Sequence, residues 1–255
     1  MPRFAANLTM MFNEHAFLDR FQAAADAGFE AVEFLFPYDH PAELVADKLQ
    51  RAGLSQALFN MPPGNWHAGE RGLAAVAGRE AEFRASVDTA LGYAKIIGSP
   101  LLHVMAGLAD RRDPAAMTRY LDALQFAVDA TEDAGVGLVI EPINGRDMPG
   151  YFLDDFDVAL DIVRKIDRPS LRLQFDIYHR QILHGDVIMA LRSMMPWIAH
   201  IQVASVPKRN EPGTGELNDA LIFSEIDALG YDGFVGCEYR PAGTTEDGLS
   251  WLKAW

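Results

Sequence analysis

Apolar residues along the chain gather into eight short runs: Phe4 to Leu8, Ala31 to Phe36, Leu54 to Asn60, Pro100 to Met105, Val136 to Glu141, Leu171 to Asp176, Ile198 to Gln202 and Phe234 to Glu238. The runs are nearly continuous rather than alternating, the pattern of strands covered on both faces. Between them, apolar residues recur at spacings of three and four, as in Phe17-Leu18-Phe21-Ala24-Ala25, which predicts helices with one buried stripe. Gly28, Gly53, Gly98, Gly135 and Gly230 fall where such helices must stop before the next strand. Strand and helix alternating from end to end predict a parallel sheet with crossover helices, not segregated α and β regions. Eight such units without a composition break or linker predict an α/β fold, a single (β/α)8 TIM barrel domain over residues 1–255.

Four of the runs finish on an oxygen-bearing side chain: Glu141, Asp176, Gln202 and Glu238. The last residue of a barrel strand opens onto the face where these barrels keep their active sites. Belonging to runs five to eight, the four side chains are expected as neighbours able to converge on one ion. Three carboxylates and one amide oxygen are hard donors that favour Mg2+ or Mn2+ over a dedicated Zn2+ centre. Taken singly, each acid is equally well a helix cap. Clustered together without a cation, they would repel one another.

Other side chains gather around this expected mouth. His179 stands three residues after Asp176, placed to reach a ligand oxygen or to orient the carboxylate, with a solvated helix-start histidine as the alternative. His200 lies one layer below Gln202 and reads as a packed, hydrogen-bonded histidine; His103, near the end of the fourth run, reads equally as packing or as substrate contact. Two connections are long, Asn60 to Arg71 and Ala204 to Leu217, and both are expected to overhang the catalytic face. The first carries Trp66 and His67 as candidate pocket walls. The second carries Lys208 and Arg209, candidates to hold a substrate carboxylate, with ordinary surface charge as the alternative.

Composition narrows the partners. With 36 acidic against 22 basic residues the formal charge is −14, which opposes nucleic acid and anionic membranes; a small anionic substrate remains compatible, because a bound cation and local Lys or Arg reverse the sign within one pocket. Cys237 is the single cysteine, buried by its run and without an intramolecular partner, which suits a reducing compartment. The N-terminal residues lack the apolar stretch of a signal peptide, so a cytoplasmic location is expected. Gly213-Thr214-Gly215 and the segment Gly145 to Gly150 lack the context of nucleotide or phosphate loops. A homo-oligomer is compatible with the sequence.

Phe59-Asn60-Met61-Pro62-Pro63-Gly64, Glu141-Pro142-Ile143-Asn144, Gln174-Phe175-Asp176-Ile177-Tyr178-His179, His200-Ile201-Gln202, Pro212-Gly213-Thr214-Gly215-Glu216-Leu217-Asn218 and Cys237-Glu238-Tyr239 together resemble the hydroxypyruvate isomerase family. That family sits among xylose-isomerase-like barrels, beside ketose 3-epimerases and apurinic endonucleases. The resemblance implies a divalent metal held by Glu141, Asp176, Gln202 and Glu238, with Glu141 and Glu238 as proton shuttles. The implied reaction interconverts hydroxypyruvate and tartronate semialdehyde through an enediolate. Gln202 stands where the epimerases place a histidine, which aligns this chain with the hydroxypyruvate and 2-oxo-tetronate isomerase branch. The remaining readings are 2-oxo-tetronate isomerisation, ketose 3-epimerisation, and a non-catalytic barrel that only binds metal or ligand.

Overall fold

The apolar runs become strands β1 (Arg3–Asn7), β2 (Ala31–Phe34), β3 (Ser55–Asn60), β4 (Leu101–His103), β5 (Gly137–Ile140), β6 (Leu171–Asp176), β7 (Ile198–Val203) and β8 (Phe234–Cys237). In this computed structural model, which describes residues 1–254, the strands are ordered as in the sequence and close into a parallel eight-stranded barrel. The helices between them are α1 (Arg20–Asp26), α2 (Ala42–Ala52), α3 (Glu80–Ile97), α4 (Pro114–Thr131), α5 (Phe156–Ile166), the pair α6 (Ile177–Leu183) and α7 (Val187–Met194), and α8 (Asp219–Ala228), with the short α9 (Thr245–Gly248) after β8. The five glycines expected to stop helices all take positive φ, from 67° at Gly53 to 94° at Gly28. Among the described residues no helix is long and apolar enough to cross a membrane.

The chain resolves into two compact units. The first comprises Met1–Ala57 and the chain from Phe175 onward, and contains β1, β2, β7 and β8. Its register pairs Ala5 with both Ala31 and Gly236, and Gln202 with Gly236. Because alternate residues share a face, Asn7, Glu33, Gln202 and Glu238 stand on the side lined by Ala5, Ala31 and Gly236. These small residues leave room there for longer polar ones. The opposite side of β1 carries Phe4, which packs edge-on to Phe223 of α8 and to Trp251, each with ring centroids 5.1 Å apart.

The connection after β7 is folded on itself. Arg209 donates its N–H to the Ser205 carbonyl at 2.8 Å, Glu216 donates to Val206 at 2.9 Å, and the Arg209 carbonyl accepts from Arg240 at 2.8 Å. Asp219 at the start of α8 accepts from the Gly213 N–H, which ties the loop to that helix.

The second unit, Leu58–Gln174, contains β4, β5, half of β3 and most of β6. Leu102 pairs with Leu138 and with Phe59 across the sheet, and Tyr120 of α4 packs on Phe152 with centroids 5.3 Å apart. Its long connection after β3 is pinned along the β4 exit: Met61 donates to His103 at 3.0 Å, Gly72 to Pro63 at 2.9 Å and Ala75 to Ala106 at 2.7 Å. Gly72 is at φ 117°, and a Cβ there would collide with the Met105 backbone, so only glycine lets the loop approach this closely.

Candidate active site

Asp176 is the last residue of β6 and performs two tasks at once. Its Oδ1 accepts the Tyr178 N–H at 2.7 Å and caps α6. Its Oδ2 is fully buried and accepts no hydrogen bond, lying 3.5 Å from His179 Nε2 and 3.6 Å from Arg209 Nη2. The cap and the ligand reading therefore apply to different oxygens of one side chain. Ligand atoms of Asp176, His179 and Glu238 all lie within 4.8 Å of one another, and all three residues are buried.

Glu238 follows the last residue of β8 and pairs with the Arg209 guanidinium, whose Nε also reaches the Glu238 carbonyl at 3.3 Å. Arg209 itself is buried, stacked 4.8 Å over the Tyr178 ring, and held at φ 58° by the bonds of its loop. Removal from water pushes the Glu238 carboxyl up to about 8, against the pull of Arg209 and with a further push from Asp176 and Glu33. Asp176 is pushed up to about 6, again by burial first, with Arg209 and the Tyr178 N–H opposing. One guanidinium thus serves two crowded acids and compensates them incompletely.

Gln202 is buried on β7 and donates Nε2 to Glu33 Oε1 at 2.7 Å. His200, two residues earlier, has Nε2 2.6 Å from Glu33 Oε2, the packed and hydrogen-bonded setting expected for it. Glu33 and its partner Asn7 were not identifiable from the strand-end pattern. The available signal was a glutamate inside the apolar run Ala31-Val32-Glu33-Phe34, a position where an unpartnered charge would be costly. Lys208 is exposed, whereas its neighbour Arg209 is buried.

In the second unit, Glu141 follows β5 and is buried with His103, whose Nδ1 is 3.8 Å from Glu141 Oε2. Burial, and to a lesser degree the nearby Glu141 charge, push the Tyr151 hydroxyl up; that hydroxyl accepts the Ala106 N–H at 2.9 Å. Trp66 is half-buried beneath Arg71, whose guanidinium lies 4.0 Å over its ring, and His67 is exposed. Trp66 thus packs within its own loop in this structure.

The donor chemistry fits a divalent cation. Carboxylate oxygens are hard ligands, and a buried Asp176 oxygen with no hydrogen-bond donor beside a second acid is a pairing that a cation resolves.

Comparison with known proteins agrees with this architecture. The profile of the family described as xylose isomerase-like TIM barrel matches residues 21–255. The chain is 55% identical to a 2-oxo-tetronate isomerase of Cupriavidus necator over 100% of this chain and 99% of the relative. It is 40% identical to the hydroxypyruvate isomerase of Escherichia coli, with 100% of both chains covered. Among solved structures it superposes with a TM-score of 0.98, at 48% identity and covering 100% and 99% of the two chains, on a Brucella melitensis protein described as an AP endonuclease, family 2. The chain belongs to the xylose isomerase-like TIM barrel family and is an isomerase.

Proposed function

We propose that this protein isomerises a short 2-oxo-3-hydroxy acid by moving a proton from C3 to C2 through an enediolate, with 2-oxo-tetronate as the substrate. The observation that carries the reading is the buried Asp176, Glu238 and Arg209 cluster, where two acids share one guanidinium and one Asp176 oxygen accepts no hydrogen bond. The 55% identity to the Cupriavidus necator relative favours the four-carbon acid. Hydroxypyruvate, expected from the motifs, is the second reading, favoured by the Escherichia coli relative. A free ketose is the third reading, behind the two acids named by the relatives above.

Asp176, Gln202 and Glu238 are assigned to hold Mg2+ or Mn2+, and the family resemblance adds Glu141, the polar end of the fifth apolar run, to the set. When bound, the cation supplies electrophilic stabilisation for negative charge developing on the substrate oxygens. Glu238 and Glu141 exchange carbon-bound protons, one removing and the other returning, with roles reversed by reaction direction. Burial raises the proton affinity of the Glu238 carboxyl in the metal-free chain, the direction that makes its carboxylate a stronger base. His179 moves protons between substrate oxygens, while Arg209 and the exposed Lys208 attract the substrate carboxylate. His103 and Trp66 are assigned to the substrate side. Nucleic acid is left out of this reading, since a formal charge of −14 opposes a phosphate backbone.

The test is proton exchange in deuterated buffer, followed by NMR with Mg2+ present and again with chelator, on 2-oxo-tetronate and on hydroxypyruvate. Metal-dependent deuterium uptake with appearance of the isomeric carbonyl, faster for the four-carbon acid, is expected, and Glu238→Gln should abolish both. Turnover of hydroxypyruvate alone would install the second reading. No carbon-bound exchange on either acid would remove the sugar-acid assignment.

A further inference from the structure

Glu33 lies in β2, yet its carboxyl reaches a side chain on β7, across the inward faces of β1 and β8. Three side chains meet it: Asn7 Nδ2 at 2.9 Å and Gln202 Nε2 at 2.7 Å, both on Oε1, and His200 Nε2 at 2.6 Å from Oε2. The orientation of Asn7 is fixed independently, because its Oδ1 accepts the N–H groups of Thr9 and Met10 at 3.1 and 3.3 Å. Its amide nitrogen must therefore face Glu33 and donate to Oε1. Toward a carboxylate Oε1, a reversed Gln202 amide would set two acceptor oxygens 2.7 Å apart. With nitrogen toward Glu33, the Gln202 carbonyl oxygen is turned the other way.

The strands make room for this crossing. Gly236 of β8 pairs with Ala5 and with Gln202, and a Cβ at 236 would collide with the Glu33 carboxyl. The absence of a side chain at that position is what opens the path from β2 to β7.

We propose that Glu33 is a positioning residue for the metal centre: it locks the Gln202 amide so that Oε1 faces Asp176 and Glu238 as a ligand. The inference rests on the metal reading given above and adds to it a residue that touches neither metal nor substrate. Partners of this kind around a metal typically contribute about ten- to a hundredfold in affinity.

Calorimetric titration of Mn2+ into chelator-treated protein tests it, with near-UV circular dichroism to verify the fold. Glu33→Met removes the acceptor and keeps the bulk, and is expected to weaken Mn2+ binding by about ten- to a hundredfold. Glu33→Gln should retain most of the affinity, because its carbonyl oxygen still accepts from Asn7 and Gln202. Gly236→Ala, which displaces the carboxyl without altering it, should weaken binding as Glu33→Met does. In a Gln202→Ala background Glu33→Met should add little, since both act through one ligand. Wild-type affinity in Glu33→Met, or its full effect persisting without Gln202, would overturn the assignment. Failure of the wild-type protein to bind Mn2+ would instead overturn the metal reading, and this inference with it.

Discussion

At the scale of single residues, pH response follows from two crowded carboxyls. Glu238 is raised from an ordinary 4.5 to about 8 and Asp176 from 3.8 to about 6, chiefly by burial. Through that window the folded, metal-free chain retains protons that the unfolded chain has released, so stability falls as pH rises. Asp219, also raised by burial, acts in the same direction. Glu70 and Asp110 are held down to about 2 by Arg79 and Arg112, so their opposite effect appears only in more acid solution. Urea unfolding of chelated protein is therefore expected to give lower stability at pH 8 than at pH 5.5. Saturating Mn2+ should abolish or reverse the trend, because ligation needs the ionised forms. A flat profile without metal would mean that both carboxyls are ionised throughout. Glu141, Asp176, Gln202 and Glu238 stand out in one dimension as polar residues ending apolar runs, and all four are buried. Glu33 was not legible in this way, since its meaning depends on a gap in β8 and on partners from β1 and β7.

At the scale of elements, strand positions were legible to within a few residues and their ends were not. β2 was expected to reach Phe36 but ends at Phe34, because the Leu35 N–H turns to the Thr9 hydroxyl at 2.8 Å. β4 was expected from Pro100 to Met105 but covers Leu101–His103, since the chain beyond meets the pinned connection after β3 at Gly72. Such endings are set by contacts between distant segments, which apolar runs do not encode. Helix starts are more local. Asp155 accepts the Asp157 and Val158 N–H groups at 2.9 and 3.1 Å and caps α5, whose last turn carries Arg164 and Lys165. Asp155→Ala is expected to cost about 1 kcal/mol in urea unfolding while leaving Mn2+ affinity unchanged. A loss of metal binding in that variant would show that the cap also holds site geometry.

At the scale of the whole molecule, the closed barrel was legible because its alternation runs through the entire chain and five of the helix stops are followed by a glycine at positive φ. The division of labour between the paired cations was not legible. Lys208 and Arg209 are adjacent and chemically alike in sequence, but only Arg209 turns inward, where the loop bonds hold its backbone at φ 58°. Cys237, the sole cysteine of the chain, is fully buried in β8, and burial pushes its thiol up. A maleimide or disulfide reagent added to native protein is therefore expected to label it only as fast as the barrel opens. Rapid labelling under native conditions would place that strand outside the stable core. If the slow rate holds, the chain carries its own single-site clock for opening and offers a silent background into which a surface cysteine can be introduced for a probe.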